Sequence, residues 1–437
     1  MKTLLFMFLV TAGTLIIPAP GFPGGISHDR DGDGLSYSCE TEIFNTDPDI
    51  ADTDGDGISD GDEDHDGDGL TNLEEQARIK SLLNMMLTGD PEGAIKLIDY
   101  YMYIPVVDTW NRTILTIALY QENIDMIRLL LDAGVDINSH NSRGRTVLMD
   151  AALSGNVEIT GFLLKMGADA SIKDDNGQTA MMNALSSECF ELPKIPREER
   201  EDAARKALYI IRELIAAGAE VNFADTSGET ALMKASKSGY VELTEIVQVL
   251  LAAGAEVNST DINGQTALMH ASTLEGVYHD ERTGLVEVLL AAGADVNCTD
   301  INGETALMHI CKSRYRDSTE IAAALLAAGA DVNRADTNGE TALMHRCTYS
   351  YGDRTAIVNV LLAAGADVNC TDIHGETALM HTCKSLYRDV YKIVEVLLAA
   401  GADVHIRSDT GHTAMAYAEE ADKVVTVLLL KEAGAGE

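Results

Sequence analysis

Aspartate stands at every second residue from 52 to 68 except at Ile58, in the stretch "DTDGDGISDGDEDHDGDG". This spacing suits calcium, because an EF-hand type loop takes oxygen ligands at positions 1, 3, 5, 7, 9 and 12 and needs glycine at position 6. Three windows between residues 29 and 75 fit the pattern. Their candidate ligands are Asp29, Asp31, Asp33, Leu35 and Glu40; then Asp52, Asp54, Asp56, Ile58, Asp60 and Glu63; then Asp64, Asp66, Asp68, Leu70, Asn72 and Glu75.

Position 7 of each window is apolar, namely Leu35, Ile58 and Leu70. Such a residue offers only its backbone carbonyl to the ion, so we expect its side chain to pack inward. Residues 29–75 hold 13 Asp and five Glu against one Arg, a formal charge of −17. Bound Ca²⁺ would order a segment that otherwise repels itself, so we expect Ca²⁺ as a structural cofactor. The alternative is an acidic spacer that only imitates the spacing.

Glu63 ends the second window and Asp64 begins the third, so no helix separates them as in paired EF-hands. The run from Thr46 to Gln76 instead resembles thrombospondin type 3 repeats and the dockerin-like calcium loops of exported bacterial proteins. Cys39 inside the first window and the long spacer after it depart from that pattern.

The first 21 residues have the layout of a secretory signal peptide, with Lys2 before an apolar run from Leu4 to Ile17 and small residues after it. We therefore expect an exported protein that is periplasmic, cell-surface or extracellular, with no membrane span after signal removal. A buried N-terminal helix is the alternative. Export agrees with calcium loops, because calcium outside the cytosol is abundant enough to fill weak sites.

From about residue 76 the chain repeats itself. Gly-x-Thr recurs at Gly144, Gly177, Gly228, Gly264, Gly303, Gly339, Gly375 and Gly411. Each unit predicts a turn, a short helix capped by threonine such as Thr305, a loop, a longer helix and a glycine stop such as Gly329. Neither helix could bury its apolar face alone, so neighbouring units must stack.

The pattern "GETALMH…LLAAGADVN" resembles the ankyrin repeat family. The resemblance implies an all-α solenoid of helix-turn-helix units with β-hairpin fingers over residues 76–437, about ten units with atypical end caps, following a small calcium-loop segment at 22–75. An insertion near 186–204 interrupts the array. The family departures are Ala for Pro and Met for His in the signature. The resemblance also implies a protein-binding scaffold without catalytic residues in the array.

One repeat position carries histidine in four successive units, at His270, His309, His345 and His381 (the histidine row). We expect this position to lie near the surface, as a duplicated polar position or as a pH-sensitive contact line. Zinc shared between these histidines is excluded, because packed helices lie ~8–10 Å apart. Cys311, Cys347 and Cys383 replace an interior alanine, and we expect them in the core rather than in disulfides.

A second set lies in the loops between the two helices of a unit. It consists of Tyr240, Tyr315, Tyr351 and Tyr387 (the tyrosine row), with Arg316 and Arg388 beside it. Tyrosine and arginine are enriched at binding hot spots, so this row is a candidate partner surface. The alternative is a stacked row that closes the loops.

No serine elbow, phosphate loop, His-Glu-x-x-His or Cys-x-x-Cys motif occurs in the sequence, so we expect no enzyme. The formal charge of −38 disfavours nucleic acid and favours a protein partner with a basic surface. The sequence thus predicts an exported, monomeric, non-enzymatic interaction scaffold with a calcium-ordered stalk. The alternative is a calcium-dependent structural or anchoring protein of the cell surface in which the repeats are a spacer.

Overall fold

The computed structural model describes residues 31–33, 35, 46–64, 71–74, 76–77, 113–186, 197–237, 243–273, 279–312, 318–348, 355–385 and 390–435. In these residues a shorter first helix and a second helix alternate along the chain. The first helices are α1 (Ile114–Tyr120), α3 (Val147–Leu153), α5 (Ala180–Ala184), α7 (Ala231–Lys237), α9 (Ala267–Thr273), α11 (Ala306–Lys312), α13 (Ala342–Thr348), α15 (Ala378–Lys384) and α17 (Ala414–Glu420). The second helices are α2 (Ile124–Asp132), α4 (Val157–Lys165), α6 (Arg197–Ala216), α8 (Leu243–Ala252), α10 (His279–Ala291), α12 (Ser318–Ala327), α14 (Thr355–Ala363), α16 (Tyr391–Ala399) and α18 (Val424–Glu432).

The unit formed by α11 and α12 shows why these residues fold this way. Thr305 caps α11, since its Oγ1 accepts a hydrogen bond from the backbone N–H of Met308 at 3.3 Å. Leu307 and Cys311 lie four residues apart on one helical face and are fully buried. Gly329 ends α12 with φ of +92°, a conformation that only glycine adopts cheaply. The capping, core and stop predictions for this unit are confirmed.

The turns that precede the first helices from α5 to α17, such as residues 261–265, form fingers, and successive fingers stack on one another. The backbone N–H of Ile262 donates to Ser227 O at 3.0 Å, and that of Ile301 donates to Asn263 O at 2.9 Å. Each finger is tighter than the β-hairpin that the family resemblance implies. In the described residues pairing is limited to isolated antiparallel bridges, such as Ala335 with Thr341.

An asparagine just beyond each second helix from α6 to α14 bonds to the next unit. Asn297 donates through Nδ2 to Gly329 O at 3.1 Å and accepts from the N–H of Asp331 through Oδ1 at 2.8 Å. The same pair of bonds recurs at Asn222, Asn258, Asn333 and Asn369. These bonds give the Asn of the "GADVN" segment its structural role.

The long helix α6, with 20 residues, begins within the predicted insertion, directly after Pro196. By packing, the described residues up to 151 together with 165–168 form one compact body, and those at 152–164 and 169–435 form another. None of the helices in the described ranges combines the length and apolar character needed to cross a bilayer.

Candidate calcium loops and the finger–helix seam

The second acidic window forms a tight loop around its own carboxylates. Asp52 accepts the N–H groups of Gly55 and Asp56 through Oδ1, at 2.7 and 3.1 Å, and that of Gly57 through Oδ2 at 3.0 Å. Carboxylate oxygens of Asp52, Asp54 and Asp56 lie within 4.8 Å of one another. Positions 1, 3 and 5 of this window are therefore close enough to share one cation.

Two further features of this window suit a cation. Gly57, at position 6, has φ of +96°, which a side chain would strain. Glu63, at position 12, has its pKa raised by partial burial and then by the negative charges of Asp54, Asp60 and the other loop aspartates. The chain thus gathers five carboxylates in this loop, an arrangement that costs energy without positive charge nearby.

Position 9 of the second window is Asp60, and its carboxylate is hydrogen-bonded to Thr53. The carboxylate of Asp60 is buried and accepts hydrogen bonds from Thr53 N and Thr53 Oγ1, at 2.8 and 2.7 Å. Asn72, at position 9 of the third window, donates to Asp60 O at 2.6 Å. Asn72 therefore connects the third window to the second, and Thr53 holds both carboxylate oxygens of Asp60.

Position 7 behaves differently in the first and second windows. Leu35 is fully buried, as predicted, but Ile58 is 49% exposed, so the inward packing expected for it is wrong. The tight 52–57 turn contributes backbone and carboxylates but no apolar surface for Ile58 to contact. In the first window Oδ2 of Asp31 is buried and has no hydrogen-bond partner among the described residues. Asp33 Oδ1 accepts the N–H of Leu35 at 2.8 Å.

Several predicted ligands lie outside the described residues: Asp29, Glu40, Asp66, Asp68, Leu70 and Glu75. The whole tyrosine row, Tyr240, Tyr315, Tyr351 and Tyr387, also lies outside them, as do Arg316 and Arg388. The prediction of a partner surface at those loops therefore stays a prediction.

The histidine row lies in the seam where each finger meets the first helix that follows it. An aspartate of the finger, nine residues before each histidine, faces the imidazole ring. The distance from His Nε2 to Asp Oδ2 is 3.2 Å for His270 and Asp261, 3.0 Å for His309 and Asp300, 3.0 Å for His345 and Asp336, and 2.9 Å for His381 and Asp372. The expectation that this row lies near the surface is wrong. His270, His345 and His381 are buried, because the finger folds over the helix and covers them.

In four units a glutamate precedes the threonine that starts the first helix and adds a second carboxylate to the seam: Glu229, Glu304, Glu340 and Glu376. In three units it pairs with a lysine eight residues later: Glu229 with Lys237, Glu304 with Lys312 and Glu376 with Lys384. Gln265 and Thr273 are the neutral counterparts in another unit. Glu340 is the exception, because Thr348 stands at its lysine position and no Lys or Arg of the described chain pairs with it.

Glu340 instead lies between two histidines. Its Oε2 is 3.2 Å from Nδ1 of His345, and its Oε1 is 3.8 Å from Nε2 of His381. Burial raises the pKa of Glu340, and the nearby Asp336 and Asp372 add to the effect against the opposing charges of His381 and Lys312. Burial opposes ionisation of Asp372 too, but hydrogen bonds from Glu376 N, His374 N and His381 lower its pKa overall.

The finger tips carry exposed apolar side chains. Ile262, Ile301 and Ile373 occupy equivalent positions and are 69%, 66% and 57% exposed. Thr226 and Thr337 hold the same position in other units. Next to the tip of Ile262, a cavity of about 480 Å³ opens between Glu229, Lys237, Asp261, Gln265 and His270. The chain therefore presents isoleucine above an acidic, histidine-containing seam.

A model of the family "Ankyrin repeats (3 copies)" matches residues 84–174, 115–195, 201–280, 276–372 and 345–436. These segments cover most of the chain, and the chain belongs to the ankyrin repeat family. A search among curated proteins found no relative with a significant match. Ankyrin repeats generally serve as modules for protein interaction rather than catalysis, so the array is a protein-interaction scaffold.

Sequence reasoning found the histidine row. It missed the aspartate partners of that row and the absence of a lysine partner for Glu340. The sequence contains a signal for both features, namely a constant separation between the two residues. The Asp-to-His separation is nine residues in all four units, and the Glu-to-Lys separation is eight residues in three. Constant separations within a repeat indicate contacts that each unit makes in the same way.

Proposed function

We propose that this chain is an exported scaffold that binds a protein partner through its finger tips and seam. The observation that carries the proposal is the row of exposed isoleucines, Ile262, Ile301 and Ile373, at one repeat position. Thr337 holds the position between Ile301 and Ile373, so the isoleucines offer separate apolar contacts along one face of the array. The acidic seam beside them and the chain's formal charge of −38 favour a partner segment with both apolar and basic side chains.

The test compares two triple variants of the full chain. Partners captured by the parent from extracts of its source are identified, and their affinities are then measured with the purified components. Ile262→Ser with Ile301→Ser and Ile373→Ser should weaken binding by more than ~2 kcal/mol. The matched control is Thr226→Ser with Thr337→Ser, which changes the same finger position and should bind like the parent.

The tyrosine row supplies the competing outcome. Tyr315→Ala with Tyr351→Ala and Tyr387→Ala tests the loops between the helices. If this variant loses the partner while the isoleucine variant retains it, the binding surface lies on those loops and the finger-tip proposal is rejected. Equal melting temperatures for the two variants and the parent are the check that each fold is intact.

Calcium orders the acidic segment in this proposal. Its support is the second window, where three aspartates and Glu63 gather around a turn that contains Gly57. Calorimetric titration should find two or more calcium ions per chain at millimolar calcium. Asp54→Asn should remove one of them, whereas Asp49→Asn, outside all three windows, should remove none. Fewer than two ions in the parent would reject the three-window arrangement.

Export is the remaining part of the proposal, and it rests on the apolar N-terminal run and on calcium being abundant outside the cytosol. Expression of the full chain in a secreting host should give a mature protein that begins near residue 22. A cytosolic product that keeps Met1 would contradict it.

A further inference from the structure

The seam around Glu340 has more negative charge than its sibling seams. Asp336, Glu340 and Asp372 lie close together, and the lysine that balances the equivalent glutamate in three other units is replaced by Thr348. The side chains of Asp336 and Asp372 are 1% and 3% exposed, so water does little to screen them. Lys312 of the preceding unit acts on Glu340 from a distance but is paired with Glu304, so this cluster lacks a lysine of its own.

The hydrogen bonds of His381 show where a compensating positive charge belongs. Thr348 Oγ1 donates its single proton to Met344 O at 3.0 Å, so it accepts from His381 Nδ1, also at 3.0 Å. A neutral His381 then has its Nε2 lone pair directed at Oδ2 of Asp372, 2.9 Å away. Two lone pairs at this distance repel each other unless a proton or a metal cation lies between them.

The surroundings of His345 independently indicate that a positive charge belongs beside Glu340. Its side chain is 2% exposed, and its Nε2 contacts Asp336. Its Nδ1 is buried with no hydrogen-bond partner among the described residues, and it is directed at Oε2 of Glu340 from 3.2 Å. The imidazoles of two consecutive units therefore both face the Glu340 carboxylate, one from each side.

We propose that Glu340, Asp372 and His381 bind a divalent transition metal ion, with zinc the best fit to the ligand set. Nε2 of His381 lies 2.9 Å from Asp372 Oδ2 and 3.8 Å from Glu340 Oε1, and one ligand atom from each residue lies within 4.8 Å of the others. Atoms that share one zinc ion at about 2.0–2.2 Å are separated by about 3–4 Å.

The surroundings fit such an ion. One imidazole with two carboxylates suits zinc, manganese or cobalt better than calcium. Thr348 holds the Nδ1–H of His381 and thereby fixes the tautomer that presents Nε2, the usual arrangement around a ligating histidine. Glu340 is 22% exposed, which leaves a path for the ion and room for water as a further ligand. The site uses one histidine, so it does not require two histidines of different units to meet.

The test is a zinc titration of the full chain in millimolar calcium, which occupies the acidic N-terminal windows. Thr348→Lys is the decisive variant, because it installs the lysine that sibling units carry and should keep the fold at the parent's melting temperature. We expect the parent to bind one zinc ion that Thr348→Lys does not bind. Thr348→Val, which removes the acceptor for His381 Nδ1, should weaken binding about tenfold or more.

Two controls make the result specific. Thr348→Ser keeps the hydroxyl and should bind within about threefold of the parent, and Glu304→Gln removes a lysine-paired carboxylate and should leave zinc binding intact. Nitrogen-15 NMR of the imidazoles gives a second readout, in which the Nε2 signal of His381 should shift on zinc addition.

Equal zinc stoichiometry in the parent and Thr348→Lys would overturn the proposal. So would an Nε2 signal of His381 that reports a bound proton and does not respond to zinc, because a proton alone would then compensate the cluster.

Discussion

The imidazole of His345 lies between two carboxylates, and its burial makes its protonation part of the folding free energy. Desolvation, with the charge of Lys312 next, lowers the pKa of His345 to about 4, although Asp336 and Glu304 oppose the shift. The unfolded chain has the ordinary histidine pKa of ~6.5. Between these values the unfolded state binds more protons, so His345 stabilises the fold fully above pH ~6.5 and less as the pH falls toward 4.

The corresponding prediction uses a pair of variants, because Glu340 titrates in the opposite sense. In a Glu340→Gln background, His345→Asn should remove about 2 kcal/mol of the stability lost between pH 7 and pH 5. Asparagine is chosen because Asn183 holds this position in another unit. Urea unfolding at both pH values, in zinc-free calcium buffer, measures the difference. Identical pH dependence in the two proteins would mean that His345 is not buried in its neutral form.

At the scale of the element, the repeat made the helices and stops predictable. Threonine caps, buried leucines and terminal glycines follow from local pattern, and α11 and α12 show each of them. The histidine environment was less predictable, since the row is polar and only the path of the finger decides what covers it. The inward packing predicted for Ile58 was wrong for a related reason, because spacing identifies a ligand position but not what lies beside it.

Finger glycines and helix-stop glycines should differ in their tolerance of a side chain. Gly264 has φ of +74°, and a Cβ there would lie 3.1 Å from the Asp300 Cα of the next finger. Gly293 has φ of +87°, but a Cβ would meet nothing within 4 Å. Gly293→Ala should therefore cost about 1 kcal/mol, the strain of the backbone alone. Gly264→Ala should cost about 2–3 kcal/mol, because the stacked fingers must also separate.

Urea unfolding of both glycine variants measures these costs. Equal destabilisation would show that the fingers move apart freely and that their stacking contributes little.

The asparagine bonds between units allow a further prediction at the same scale. Asn297→Ala removes one hydrogen bond to Gly329 O and one from Asp331 N, and should cost about 1–2 kcal/mol. His405 stands at the equivalent position of a later unit and is exposed. His405→Ala should leave stability unchanged and serves as the control. A cost at His405 as large as that at Asn297 would mean that the position, rather than the bonds between units, matters.

At the scale of the whole molecule, two kinds of order depend on different forces. The helical array buries apolar residues from its units, and hydrogen bonds join successive units between Asn176 and Asp409, so stability there is local and additive along the chain. The acidic segment has a formal charge of −17 over residues 29–75 and few buried apolar groups among its described residues. The proposed function assigns its order to bound cations, because repulsion at these distances is only partly screened by salt.

Removing calcium should therefore affect one part of the chain and spare the other. Hydrogen exchange followed by mass spectrometry, in millimolar calcium and then with a calcium-selective chelator, measures both parts at once. Peptides from residues 46–64 should lose protection on chelation, including the amides of Asp56 and Gly57 that bond to Asp52. Peptides from α7 to α15 should keep theirs.

Asp54→Asn should reproduce the loss at 46–64 with calcium present, whereas Asp49→Asn should not. Unchanged protection at 46–64 would show that the segment is ordered without calcium, and loss of protection throughout α7 to α15 would show that calcium stabilises the array as well.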